Sequence, residues 1–482
     1  MAPIRPWLMG IWCVAAMATA QPATDPLLES AAGVLNEAAA YHTPPVPREA
    51  PEPLELTLET CVARALAQNV DALVAETDVA LREAEAGQAR SGRRPQVAAE
   101  AAYNYVEELD FGLGGGFLGG FVDTESFSPD KETITTRLTV TQVLYAGGQI
   151  QAAVRASRHL AESEAWRRDA VRQEVAYLAR QAYHDAIAAR AAAQVALEAE
   201  AAFARHLRDT EILAKEGALT DYEVMRARTE VAARAADVAA ARANVERADI
   251  AIRRVLGLPP GQPVACAPAG QAPPAPAPGT DFGAIALAQR PEVRALRDAL
   301  AAAEAQRRGV IGKYLPQAST TVTWVEVDGG GQSNPDGWQV NVGARWDLYT
   351  GGQRRHERAA ARARAEGLRH ELAELERGVA HDADLALARL AEAQAAVRAR
   401  RDNAELAAES VRLADIRYRE GIGTQTEIID AELERARARA GLVIALRDYH
   451  VALAALERAA GGPWEAAGAE LTGPDGAEAA EE

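Results

Sequence analysis

Two carboxylates one helical turn apart, Glu427 and Asp430, come nearest in this sequence to residues with chemistry in their spacing. Three positions apart, they share one helix face. Acidic groups crowded together favour cations, bind divalent metals and relax their repulsion when protonated. A structural reading competes with this one. Thr424-Gln425-Thr426-Glu427 and Thr220-Asp221-Tyr222-Glu223 both read as capping boxes, in which the glutamate reaches back to the N-cap amide. No catalytic constellation accompanies them, so the chain reads as a non-enzyme without a cofactor. Gly114-Gly115-Gly116-Phe117-Leu118-Gly119 formally satisfies a dinucleotide fingerprint, but it lies between strand-like segments and opens no helix, so it reads as a loop. The histidines show no ligand spacing. His206, His356, His370 and His381 read as solvated helix-face residues, and no metal site is expected. An oxidising compartment would permit a disulfide between Cys61 and Cys266, and two free thiols fit equally well.

The elements that carry these residues come in two copies. Leu144-Tyr145-Ala146-Gly147-Gly148-Gln149 returns as Leu348-Tyr349-Thr350-Gly351-Gly352-Gln353. Ala65-Leu66-Ala67-Gln68 returns as Ala286-Leu287-Ala288-Gln289, Pro95-Gln96 as Pro316-Gln317, and Glu216-Gly217 as Glu420-Gly421. Each Gly-Gly pivot closes a strand-like segment and opens a proline-free helical one of roughly 65 residues, about 100 Å at helical rise. Apolar residues at spacings of three and four, such as Val171, Val175, Leu178 and Ala182 or Leu368, Leu372, Leu375 and Val379, form a coiled-coil-like seam. A second helix of about 35 residues returns after each Glu-Gly, completing a hairpin far too long for a globular domain.

Before each pivot the period is two. Trp338, Val340, Val342, Ala344, Trp346 and Leu348 alternate with Gln339, Asn341, Arg345 and Asp347, and Val322 and Trp324 alternate with Thr321 and Thr323. Val97, Ala99, Ala101, Tyr103 and Tyr105 do the same in the first copy. One apolar face, one polar face and aromatics near the ends suit a transmembrane β-barrel and equally a soluble half-buried hairpin. The long helices tip the balance to the barrel, with Trp324, Trp338, Val340, Val342 and Trp346 facing lipid. Four strands cannot close a barrel, and an open edge in lipid leaves backbone groups without partners. Several chains must then share one barrel, which the helices continue as a tube.

Residues 1–20 read as a secretory signal with Arg5, a short apolar run and Ala18-Thr19-Ala20. Residues 21–55 read as extended or disordered, 56–258 as the first repeat, 259–280 as a Pro/Ala-rich linker, 281–462 as the second repeat and 463–482 as an acidic disordered tail. The first helix is expected from Thr57 to about Arg94. A net charge of −17 argues against a nucleic-acid partner.

The duplicated layout resembles the TolC-type outer-membrane efflux proteins. The resemblance rests on Leu56-Thr57-Leu58 with Ala65-Leu66-Ala67-Gln68-Asn69, on both Leu-Tyr-x-Gly-Gly-Gln pivots, and on Tyr418-x-x-Gly421 running into Ile429-Asp430-Ala431. Val70 departs from the family's usual proline, which the second copy keeps as Arg290-Pro291. The fold class implied is mixed α and β. Long antiparallel helical hairpins and two β-hairpins assemble as a homotrimer, whose twelve-stranded β-barrel is continuous with a periplasmic α-barrel. The function implied is an exit duct in the outer membrane of a Gram-negative bacterium, reaching into the periplasm. Its partners would be outer-membrane lipid, a periplasmic adaptor (membrane fusion) protein and an inner-membrane transporter. The alternative is a non-pore periplasmic scaffold or adaptor. By motif position the resemblance puts Glu427 and Asp430 at the pore constriction and Tyr418 and Glu223 in the latch that closes it. Gly423 stands where the best-known member has a latch arginine, so closure here is expected to be weaker or differently held.

Overall fold

The computed structural model of the protein describes residues 53–105, 132–268, 276, 280–328 and 336–462. The signal segment, the Gly114–Gly119 loop and the acidic tail lie outside them. Strand β1 (Leu54–Leu56) leads into helices α1 (Leu58–Gln68) and α2 (Val70–Ser91), then strands β2 (Gln96–Tyr105) and β3 (Glu132–Tyr145). Helices α3 (Gln149–Lys215) and α4 (Asp221–Val255) follow, and the short strand β4 (Val264–Cys266) comes next. The second copy comprises α5 (Phe282–Gln289), α6 (Pro291–Gly312), β5 (Gln317–Asp328), β6 (Gly337–Arg345), α7 (Gln353–Arg419) and α8 (Gln425–Ala460). No described helix is long and apolar enough to cross a membrane.

The first helix is interrupted where the sequence predicts continuity. Asn69 takes an extended conformation, caps Asp71 N (2.9 Å) and donates from Nδ2 to Val255 O at 3.0 Å. Asparagine thus does in the first copy what the Arg290-Pro291 step does in the second, where Pro291 opens α6. The start of the linker carries a strand that its composition does not predict. Leu54, Glu55 and Leu56 pair in parallel with Val264, Ala265 and Cys266. Tyr183 Oη donates to Ala267 O (2.9 Å) and Arg190 Nη2 to Val264 O (2.8 Å), pinning the segment on α3.

At both pivots the two glycines adopt positive φ, 58° and 81° at Gly147 and Gly148, 62° and 86° at Gly351 and Gly352. That left-handed conformation turns a strand end into a helix start at little steric cost only for glycine. The two 67-residue helices that follow, α3 and α7, end in matching Schellman motifs. Ala218 N reaches Leu213 O and Ile422 N reaches Arg417 O, with Gly217 and Gly421 in the left-handed position.

Two cores sit where the hairpins meet the short helices, and they are copies of each other. Cys61, Ala65, Val175, Ala179, Tyr183, Ile252 and Leu256 fill the first, and Phe282, Ile285, Ala286, Val379, Ala383, Leu453 and Leu456 fill the second. Elsewhere the helix seams are lined mainly by alanine, which lets backbones approach closely without a thick apolar layer.

The four long strands form one antiparallel sheet in the order β2-β3-β5-β6. Its register places Val97, Val140, Val322 and Val340 in one row across all four strands, with Ala99, Leu138, Trp324 and Trp338 in the next row on that face. The opposite face carries Gln96, Thr141, Thr321 and Asn341, then Ala98, Thr139, Thr323 and Gln339. Strands β2 and β6 are the two unpaired edges among the described residues. Trp338, Val340 and Val342 are about 70 % exposed, so the apolar face is uncovered in the single chain.

Candidate functional site

The hairpin tips bring the sequence-predicted tip residues together, though in different roles. At the first tip Glu223 completes the return half of a capping box. Its Oε2 accepts from Thr220 N at 2.7 Å and from Thr220 Oγ1 at 3.1 Å. At the second tip only the forward half forms, with Thr424 Oγ1 accepting from Glu427 N at 3.3 Å. Glu427 turns instead toward Arg417, whose Nε lies 3.3 Å from Glu427 Oε2. Arg417 Nη2 also donates to Ile422 O (3.3 Å). Glu427 and Asp430 line one open groove of about 610 Å³ with Arg417, Glu434 and Arg437. The acidic pair therefore sits among cations of its own hairpin.

Tyr418 and Glu223 lie close enough for the carboxylate to act on the phenol. Burial, and then the Glu223 charge, push the Tyr418 pKa up. They share no hydrogen bond, because Tyr418 Oη is buried without a partner. Its neighbour is His206, edge-on at 5.9 Å between ring centroids, whose Nε2 is also buried and unpartnered. His206 is therefore not the solvated face residue expected from the sequence; burial lowers its pKa. Between the tips, Arg226 Nη1 donates to Thr426 Oγ1 (2.9 Å) and Gln425 Nε2 to Glu223 O (3.4 Å). Arg226, which stands in the first repeat where Asp430 stands in the second, is legible in the sequence, but its bond to Thr426 on the other hairpin is not, and neither is the Arg417–Glu427 pair across the turn. Gly423 has a steric reason: an added Cβ would lie 2.9 Å from Tyr418 N.

The remaining sequence-predicted residues fall as follows. Trp324 and Trp338 face each other across β5 and β6, and Val340 and Val342 oppose Val322 and Thr320. Trp346 lies just past the end of β6, where its Nε1 donates to Tyr314 O at 3.1 Å. Gly147 packs against the end of α6, where an added Cβ would lie 2.3 Å from Gly312 O, whereas Gly351 has open space. Cys61 and Cys266 are both free thiols. Cys61 Sγ is directed at Ala179 O (3.7 Å), and burial, with Cys266 adding, pushes its pKa up to about 12. His356, His370 and His381 are carried on α7.

A four-stranded sheet with one apolar and one polar face, opening through glycine pivots into helices of this length, defines a class of protein that joins a membrane wall to a helical conduit. The outer membrane efflux protein family model matches residues 61–258 and 284–462, most of the chain, and the chain belongs to that family. Its role is the family's, an exit duct of efflux systems in the outer membrane, and its family is one of channels rather than enzymes. Solved structures share the fold. The outer-membrane channel OprN is 23 % identical with a TM-score of 0.71, over 85 % of this chain and 90 % of that one. The outer membrane protein VceC of Vibrio cholerae is 18 % identical at a TM-score of 0.70, over 84 % and 96 %. The CmeC outer membrane channel of Campylobacter jejuni is 16 % identical at 0.72, over 84 % and 85 %. No curated protein matches the chain.

Proposed function

We propose that three copies of this chain close one twelve-stranded barrel through their β2 and β6 edges, and that α3, α4, α7 and α8 continue it as a periplasmic tube. The observation that carries this is the pair of unpaired edges on a sheet with an exposed apolar face. Lipid tolerates such edges only when they are joined. The apolar rows face lipid, including Trp324, Trp338, Val340 and Val342, and the Gln/Thr/Asn rows line the lumen. Trp338 and Trp346 are eight residues apart, about 27 Å of extended chain, which suits aromatic girdles at the two membrane surfaces. The signal segment directs export across the inner membrane of a Gram-negative cell.

The internal duplication also sets the register of the missing seam. The pairing of β3 with β5, transferred to the equivalent positions of β6 and a neighbour's β2, sets Ala344 opposite Ala101 and Arg345 opposite Glu100. The second pair is of opposite charge, which favours that alignment.

At the far end, Glu427 and Asp430 of three copies form the constriction, and the Tyr418, Glu223 and Arg417 neighbourhood holds it closed. The adaptor docks along the hairpins and the inner-membrane transporter delivers cargo from below. Glu427→Gln with Asp430→Asn is expected to reduce cation selectivity in planar-bilayer recordings. Unchanged selectivity would remove these residues from the constriction, and a stable monomer in mild detergent would remove the shared barrel.

A further inference from the structure

Near the membrane end of the helices, α3 and α6 meet along a seam of small residues. Ala152, Ala156 and Ser163 on one helix face Ala295, Ala302, Ala305 and Gly309 on the other, all but Gly309 buried. The backbones come close enough that Ser163 Oγ donates to Ala295 O at 2.7 Å, and a Cβ on Gly309 would touch Ala152. Into this alanine seam the sequence inserts His159, Glu162 and Asp298, each half-buried. His159 Nδ1 lies 3.1 Å from Asp298 Oδ1 and 3.2 Å from Glu162 Oε2. The other oxygen of Glu162 is held by Arg158 Nε at 2.8 Å, which keeps Oε2 aimed at the ring.

Two carboxylate oxygens therefore converge on one ring nitrogen. A proton on Nδ1 can lie in line with only one of them, whereas a metal ion set among them binds all three. Ligand separations of this size match the edge of a tetrahedron built on zinc–nitrogen and zinc–oxygen bonds, about 3.3 Å. We propose that His159, Glu162 and Asp298 form a binding site for a divalent transition-metal ion of the zinc class, with water in the open position, clamping the first repeat to the second. The ligands stand on two helices fixed by close packing, as a preorganised site requires. The site occurs once per chain, because the duplicated positions carry Ala363 and Thr77 in place of His159 and Asp298. Sequence spacing could not reveal it, since His159 and Asp298 are 139 residues apart.

The test is titration of the purified, untagged full chain in detergent with Co²⁺ and Zn²⁺, on a Glu427→Gln/Asp430→Asn background that removes the acidic tip. One equivalent per chain is expected, and bound Co²⁺ should give a nitrogen/oxygen-type visible spectrum without a thiolate band. His159→Gln and Asp298→Asn should each weaken binding at least about a hundredfold, beyond the range for outer-shell partners, while His356→Gln leaves it unchanged. Absence of binding in the parent, a thiolate band, or binding that survives His159→Gln overturns the proposal. Should a variant fail to fold, the parent decides alone.

Discussion

His184 and His450 stack with ring centroids 4.3 Å apart and an 11° interplanar angle, where α3 meets α8. His184 is 7 % exposed, and burial, with His450 and Arg180 adding, pushes its pKa down to about 4. Burial lowers His450 as well. The nearby cations are committed elsewhere, Arg180 to Glu457 and Arg447 to Asp185, each at 2.6 Å. An unfolded histidine titrates near 6.5, so below that pH the unfolded chain takes up a proton that the folded ring refuses. Stability is therefore full above about pH 6.5, falls as the pH drops toward 4, and levels off below. From His184 alone the loss is about 2 kcal/mol at pH 5 and about 3 kcal/mol at the acid limit. His184→Phe keeps a ring in the stack and removes the proton site. Thermal melts followed by circular dichroism across this pH range should show the variant losing less stability than the parent, by a few degrees at pH 5. An identical pH dependence in the two proteins would refute the claim that this pair is buried neutral.

The other predictions concern the tips, the pivots and the core. Arg417→Ala frees Glu427 and should raise cation selectivity in bilayer recordings, opposite in sign to Glu427→Gln; a fall would mean that Arg417 does not screen the acidic pair. Gly147→Ala meets both a positive φ of 58° and the Gly312 carbonyl, whereas Gly351→Ala meets a positive φ of 62° alone. Left-handed backbone costs a non-glycine residue about 1–2 kcal/mol, so Gly147→Ala should lower the melting temperature distinctly more than Gly351→Ala. Leu456→Ala, at a fully buried core position, should cost about 2–5 kcal/mol, read from the same melts.

Periodicity and duplication made the elements legible because both long hairpins and all four strands repeat a pattern with few competing signals. Trp324 and Trp338 share the apolar face as alternation requires, while their direct opposition comes from the hairpin register. Asn69 hid a break because its cap depends on Val255, nearly two hundred residues away, and a linker rich in proline hid β4 because its partner is β1. The tips were half legible. Thr220 and Glu223 are local and read as a box, whereas Glu427 leaves its box for an arginine across the turn. The burial of His206 is not legible because a helix-face pattern does not say which face a neighbouring element will cover.

The shared wall of strands is tested most directly by cysteine pairing across the seam it requires. With Cys61 and Cys266 replaced by serine, Ala101→Cys and Ala344→Cys should cross-link in outer-membrane fractions to dimers and a covalent trimer, while Ala101→Cys with Val340→Cys should not. Chains that stay monomeric under oxidation, while the singly substituted proteins remain reactive to thiol reagents, would show that these edges are not joined between copies.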